Sequence, residues 1–205
     1  MSFVEKVRSQ FSLFKAKASA LEPADDREIA DWSPECMAFL RHWTSLRKDA
    51  GVPTSEDFLD SPSTRFAPYV YILEILDGAP VVRLQGSQLE QAWARDLTGG
   101  DFFPGRSARF RAAAIANMRA VLTHPCGHLA RSTYATSKGL KITSDWIQLP
   151  LGVREGRAPR LVGAVFQHTG RSLGHVATHH FELHKLAWID AGWGVPHTDP
   201  TPLTP

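Results

Sequence analysis

Apolar residues recur at helical spacing at the start of the chain, where Phe3, Val7, Phe11 and Phe14 share one face. Lys6, Arg8, Lys15 and Lys17 occupy the other face, which predicts a short amphipathic helix over the first 22 residues. Pro23 to Asp31 carries Asp25, Asp26, Arg27, Glu28 and Asp31 and reads as a solvated linker. Ser33-Pro34-Glu35 then has the composition of a helix start: a capping hydroxyl, a proline suited to the first position and an acid at the positive end of the dipole. Met37, Leu40, Trp43 and Leu46 follow on one face, with Trp43 read as a core anchor, and Gly51-Val52-Pro53 ends the helix. Thr54 or Ser55 can cap one more helical turn through Phe58.

The pattern changes after Arg65. Pro68 to Leu76 is β-branched and aromatic, Asp77-Gly78 is a turn, and Val81 to Gln85 is a second strand, so a hairpin is predicted. Gly86-Ser87 leads into a short helix with Leu89, Ala92 and Trp93, and Gly99-Gly100 breaks it. From Arg106 to His124, Phe110, Ala113, Ala114, Met118, Val121 and Leu122 form a helical stripe closed by Pro125. Three strands joined by short turns come next, from Cys126 to Thr136, Leu140 to Leu151 and Arg160 to His168, and predict an antiparallel meander. A C-terminal helix over 171–191 is expected to pack through Phe181, Leu183, Leu186 and Trp188. The tail from 192 to 205, with four prolines, is expected to be disordered.

Composition narrows the classes. The 205 residues carry 23 basic and 21 acidic side chains, a formal charge of +2, which gives no reason to expect nucleic acid as a partner. A hydrophobic fraction of 43% excludes global disorder. Two cysteines, Cys36 and Cys126, are too few for a disulfide framework, so a reducing cytoplasm is the expected setting. No apolar run approaches the roughly 18 residues that span a bilayer, and the charged N-terminus lacks the apolar core of a signal peptide.

Two strands, short helices, one longer helix and three strands predict an α+β fold, a five-stranded antiparallel sheet with helices on one face and helical extensions at both ends. Three stretches carry a family resemblance: Phe39 to Arg47 followed by Pro53, Val82-Arg83-Leu84-Gln85-Gly86-Ser87-Gln88-Leu89, and Arg95-Asp96-Leu97-Thr98-Gly99. Their order resembles the PAS domain, in particular small bacterial PAS proteins with little attached to them, over about residues 35–170. The resemblance implies a sensory or regulatory protein, not an enzyme, that binds a small ligand or a signalling partner and relays through dimer or partner contacts. It also implies a sheet whose first two strands lie centrally. The amphipathic N-terminus is the expected dimer or output surface.

If the sheet and helices enclose a cavity, its expected lining is Tyr71, Leu73, Leu84, Trp93, Phe103, Phe110, Met118, Tyr134, Trp146 and Phe166. Residues this apolar equally make a filled core. The histidine cluster raises an alternative of another class, a small α+β metal-binding protein or enzyme. His175 and His179, like His180 and His184, are four apart and would share a helix face, and Glu182 could add an oxygen ligand. Cys126 and His128 would share a strand face and form a second, smaller ligand pair, but nothing singles out an axial haem histidine, and neither cysteine lies in a context for flavin photochemistry. No cofactor is therefore assigned. Arg106, Arg109, Arg111, Arg119 and Arg131 form a run without acids that could meet an anionic ligand or an acidic partner. Nucleophile-elbow, phosphate-loop and dinucleotide signatures are absent.

Overall fold

A computed structural model describes residue 5 and residues 31–49, 51–61, 63–135, 139–153, 157–169 and 180–204. The expected N-terminal helix, Glu5 apart, and the linker up to residue 30 fall outside the described residues. Helix α1 spans Pro34–Ser45, its N-terminus capped by the Ser33 side chain, which accepts the Cys36 amide. Helix α2, Ser55–Asp60, opens on a reciprocal Thr54–Asp57 capping box. Strands β1 (Val70–Leu76) and β2 (Ala79–Gln85) turn through Asp77-Gly78, both at positive φ, as a tight hairpin of right-handed twist requires. Helices α3 (Ser87–Trp93) and α4 (Ala108–Thr123) follow, then β3 (Gly127–Ala135), β4 (Lys141–Leu151), β5 (Arg160–Thr169) and β6 (His180–Ile189).

The strands form one antiparallel sheet in the order β2-β1-β5-β4-β3-β6. The sheet is therefore six-stranded and not five-stranded, and β2 is an edge strand while β1 lies inside, because β5 takes the side of β1 that the hairpin leaves open. Both faces are covered, which corrects the expectation of helices on one face. Alternation divides β1: Val70 and Ile72 pack with Phe39 and Trp43 of α1, whereas Tyr71, Leu73 and Ile75 pack with Phe110, Met118 and Leu122 of α4. Trp43 is fully buried and its indole N–H donates to the Pro150 carbonyl at 3.0 Å, the anchoring role its place in the helix predicts.

Residues 180–189 are a strand and not part of a helix. The reason lies in a bulge. Opposite the step from Arg131 to Ser132, β6 carries one extra residue, so Ser132 faces Leu183 and Arg131 faces Lys185. Phe181, Leu183, Leu186 and Trp188 consequently reach the α4 side at spacings of two, three and two. That rhythm imitates a helical stripe in the bare sequence.

The tail is also ordered, contrary to expectation. Asp190 accepts the amides of Gly192, Trp193 and Gly194, which turns the chain sharply beyond β6. Trp193 is buried against Trp43, and the Arg47 guanidinium lies 4.0 Å above its ring. Leu203, only 2% exposed, enters the opposite layer. Residues 191–203 thus cross from one face of the sheet to the other.

Candidate functional site

The α4-side layer holds a short chain of buried polar groups. The Gln148 amide donates to the Tyr71 hydroxyl at 2.9 Å, and its carbonyl lies 3.3 Å from Nδ1 of His128. All three residues are buried: Tyr71 0%, His128 1% and Gln148 1% exposed. Register explains the placement. Tyr71 stands opposite Gly163 on β5, Gly163 opposite Gln148 on β4, and Gln148 opposite His128 on β3. The row therefore runs straight across four adjacent strands.

Gly163 makes room for this row. A Cβ there would overlap the Tyr71 ring, so only glycine lets the phenol lie across β5 toward Gln148. Replacing Gly163 by valine is expected to push Tyr71 aside, break its bond to Gln148 and cost about 2 kcal/mol. Chemical denaturation read by far-UV circular dichroism checks this; a variant as stable as the wild type would refute it.

If the Gln148 carbonyl accepts from Nδ1–H, His128 is the tautomer whose Nε2 carries a lone pair. That Nε2 is buried and has no hydrogen-bond partner among the described residues. Burial lowers the His128 pKa to about 4 despite the bond to the Gln148 carbonyl, so the ring is neutral at physiological pH. Burial likewise raises the Tyr71 pKa well above that of an ordinary phenol, against the effect of Gln148. The row thus offers an acceptor at His128 and a hydroxyl proton at Tyr71.

Aromatic rings surround it. His128 lies edge-on to Trp146 at 5.9 Å and tilted against Trp188 at 5.2 Å. Tyr71 meets Phe102 at 4.8 Å and Trp93 at 6.4 Å, and the series continues through Phe103 and Phe110 to Phe181. Of the expected cavity lining, Tyr71, Leu73, Phe103, Phe110 and Met118 are core residues of this layer, and Trp93 and Trp146 pack against it. Tyr134 shares this sheet face farther along, its hydroxyl accepting from Gln167 at 3.1 Å. Leu84 and Phe166 are corrections, since both pack on the α1 side. Phe166 shares the parity of Val162 and Ala164 on β5, whereas Leu84, two residues from Val82 of the α4 side, is turned over by an extra residue in β2, Arg83, opposite the step from Ile72 to Leu73. Gln148 and His128 were not among the expected lining, although a polar residue within the apolar run Trp146 to Leu151 is the signal that finds the first.

The α1 side holds a second polar cluster. Asp145, fully buried, accepts two bonds from Arg131 at 2.7 and 2.9 Å, the Ser33 amide at 2.9 Å, and a contact from His168 at 3.0 Å. Burial alone would raise its pKa, but the bonds from Arg131, the Ser33 amide and His168 outweigh that and hold it below the usual carboxylate range. Arg131 also donates to the Asp31 carbonyl, and Lys185 pairs with the Asp31 carboxylate at 2.6 Å. Both cations lie over the Trp32 ring. Residues 31–33 are thereby fastened to β3, β4 and β6.

The arginines do not form one face. Arg131 serves Asp145, Arg111 pairs with Asp101 and donates to the Phe103 carbonyl, and the Arg106 guanidinium lies 5.1 Å from both the Phe110 and Phe181 rings. For the metal alternative, His175 and His179 fall outside the described residues. Glu182 stands 3.8 Å from His184, whose Nε2 is 2.7 Å from the Thr133 hydroxyl. Among the described residues no group of three or more histidines, cysteines, aspartates or glutamates could hold a metal ion. Both thiols are buried, and burial pushes the Cys36 pKa up to about 12 and raises that of Cys126 as well. No helix among the described residues is long and apolar enough to cross a membrane.

The stretches that carried the resemblance prove to be scaffold. Gly86 packs so closely on the Ala67 and Pro68 carbonyls that no side chain fits, and the Gln85 amide joins the Arg95 carbonyl and the Leu97 amide. A sheet of this order with helices between its second and third strands is a PAS arrangement. A family model described as PAS domain matches residues 32–166, and the chain belongs to that family. PAS domains are typically sensory and signalling modules, not enzymes.

Among solved structures, a variant of the LOV protein RsLOV is 15% identical with a TM-score of 0.39, the match covering 53% of this chain and 64% of that one. The chain thus spans less than two thirds of that relative. A fungal LOV domain photoreceptor is likewise 15% identical, with a TM-score of 0.40 and coverage of 64% and 91%. No curated protein matches the chain.

Proposed function

We propose that this PAS domain senses a small, partly planar ligand taken up between the sheet and helices α3 and α4, and relays its presence through a homodimer or a signalling partner in the cytoplasm of a bacterium. The observation that carries the reading is the row Tyr71–Gln148–His128. A layer meant only to be packed gains nothing from three polar side chains, since each buried polar atom left unpaired costs about 1–3 kcal/mol. His128 Nε2 is such an atom, and a ligand N–H or O–H would satisfy it. A ligand acceptor would meet the Tyr71 hydroxyl. The half-buried rings of Trp93 and Phe102 stand where they must yield to admit the molecule. The ligand is therefore a flat or apolar body with one donor and one acceptor, and no chemistry is performed on it.

Native mass spectrometry of the protein purified from its own host tests this. The wild type is expected to carry a bound small molecule, and Gln148→Leu, close in size but without hydrogen-bonding groups, is expected to lose it while keeping its far-UV spectrum. A wild-type protein free of added mass, even after incubation with host metabolite extract, would overturn the ligand reading.

A further inference from the structure

The segment 195–204 lies over the outer end of the α4-side layer as an extended strap, and the groups that hold it there read backbone more than side chains. Trp188 of β6 donates its indole N–H to the Thr198 carbonyl at 2.7 Å. Asn117 of α4, 1% exposed, donates to the Thr201 carbonyl at 2.9 Å and accepts the Thr201 amide at 2.8 Å. Thr201 stands between Pro200 and Pro202, so its N–H is the single backbone donor in that stretch, and Asn117 takes it. The one deep side chain is Leu203; Thr198, Asp199, Thr201 and Pro202 are all exposed.

A conserved-volume plug of a core would be packed along its length. This strap is not: an open cleft of about 300 Å³, lined by apolar and charged residues alike, lies between Leu183, His184, Lys185 and Leu186 of β6 and Asp199, Pro200 and Pro202 of the strap. An indole donor, an amide fork and a pocket for one aliphatic side chain, met by a proline-rich extended segment, are the parts of a peptide-recognition groove.

We propose that the groove between α4 and β6 is a docking site for an extended proline-containing peptide of a partner protein, and that residues 198–203 occupy it in cis. The partner segment would carry a carbonyl for Trp188, a residue between two prolines for Asn117 and, two positions beyond that residue, a leucine or a similar aliphatic side chain. Tethering gives the chain's own strap an effective concentration in the millimolar range, so a partner must bind well or arrive where the strap has been loosened. Trp188 offers a way to loosen it, because the ring that holds Thr198 also packs against His128. The groove itself stands on the geometry of the strap and not on the ligand reading.

The test uses the full chain and a fluorescein-labelled peptide of residues 195–205, followed by anisotropy. In the Leu203→Asp chain the strap loses its anchor, and the peptide is expected to bind roughly ten-fold tighter or better than to the wild type. Adding Asn117→Ala to that chain, or using a peptide that itself carries Leu203→Asp, is expected to abolish the gain. A second measurement needs no variant: excess unlabelled peptide should accelerate amide hydrogen exchange across residues 198–204 of the wild-type chain. A Leu203→Asp chain that keeps its near-UV spectrum yet binds no peptide would overturn the proposal, as would exchange rates that ignore the peptide. A wild-type dimer that the peptide dissolves would also overturn it, since the strap would then be exchanged between two copies and no other partner would be called for.

Discussion

Replacing Asp145 by alanine is expected to lower the unfolding free energy by about 3 kcal/mol and to release residues 31–33 from the sheet. The carboxylate is fully buried, while its partner Arg131 is 27% exposed. Removing one member of such a pair strands the other charge in a poorly hydrated place, which is why the loss exceeds that of a surface ion pair. It also leaves the Ser33 amide at the start of α1 without its acceptor. Urea denaturation gives the loss, and hydrogen exchange at residues 31–36 reports the release. The double variant Asp145→Leu with Arg131→Met should recover much of the stability, because neither charge is then buried, but not the protection of residues 31–33. If Asp145→Ala alone unfolds at the wild-type urea concentration, the cluster is an ornament of the surface and the tether does not exist.

A second large effect is expected from acid. Folding holds His128 neutral, with a pKa lowered from 6.5 to about 4, whereas the unfolded chain takes up a proton near pH 6.5. Above that pH the two states are alike at this site and the fold has its full stability. Between pH 6.5 and 4 only the unfolded state gains a proton there, so stability falls by up to roughly 1.4 kcal/mol per pH unit and by roughly 3 kcal/mol over the window. The variant His128→Leu removes this contribution, and its stability should fall less steeply than that of the wild type across the same window. Parallel slopes for the two proteins would show that the ring is not buried neutral. Asp145, held below the ordinary carboxylate range, works in a separate window: its stabilisation is complete above the unfolded carboxylate pKa and disappears only as the pH falls through the lower folded value. The two clusters can thus be told apart by pH alone.

Much of the fold was legible because its local signals and its long-range pairing agree. Ser33, Thr54 and the Asp77-Gly78 turn each do in three dimensions what their residue types favour, and strands β1 to β5 begin and end within a few residues of the turn-forming positions that bound them. β6 was misread for a definite cause: a one-residue bulge converts strict alternation into a spacing that a helix would also give. Proline content in the tail argues against regular secondary structure but not against binding in an extended form. Much of what holds it comes from elements far away in sequence, Asn117 of α4 on Thr201 and Trp43 and Arg47 of α1 on Trp193, with Trp188 of the preceding strand on Thr198. The layer of Phe166 depended on strand parity, and with both sheet faces buried, apolar residues at every position of a strand give no sign of which face each one takes. The layer of Leu84 depended on a bulge in β2, which breaks the alternation after Val82. Gln148 is visible as a polar residue in an apolar run and His128 only as a possible partner of Cys126; that the two meet, and meet Tyr71, follows only from the order in which β1, β5, β4 and β3 pair.

The fastening of residues 31–33 also has a mechanical meaning. Arg131, Asp145 and Lys185 belong to β3, β4 and β6, which are neighbours in the sheet in the order β4-β3-β6. A pull applied through the chain that precedes Asp31 is therefore shared among three adjacent strands at once and is not borne by a single helix end. Such a joint transmits displacement instead of absorbing it, so a tug on that side is felt across half of the sheet, and a shift of the sheet is felt there in return.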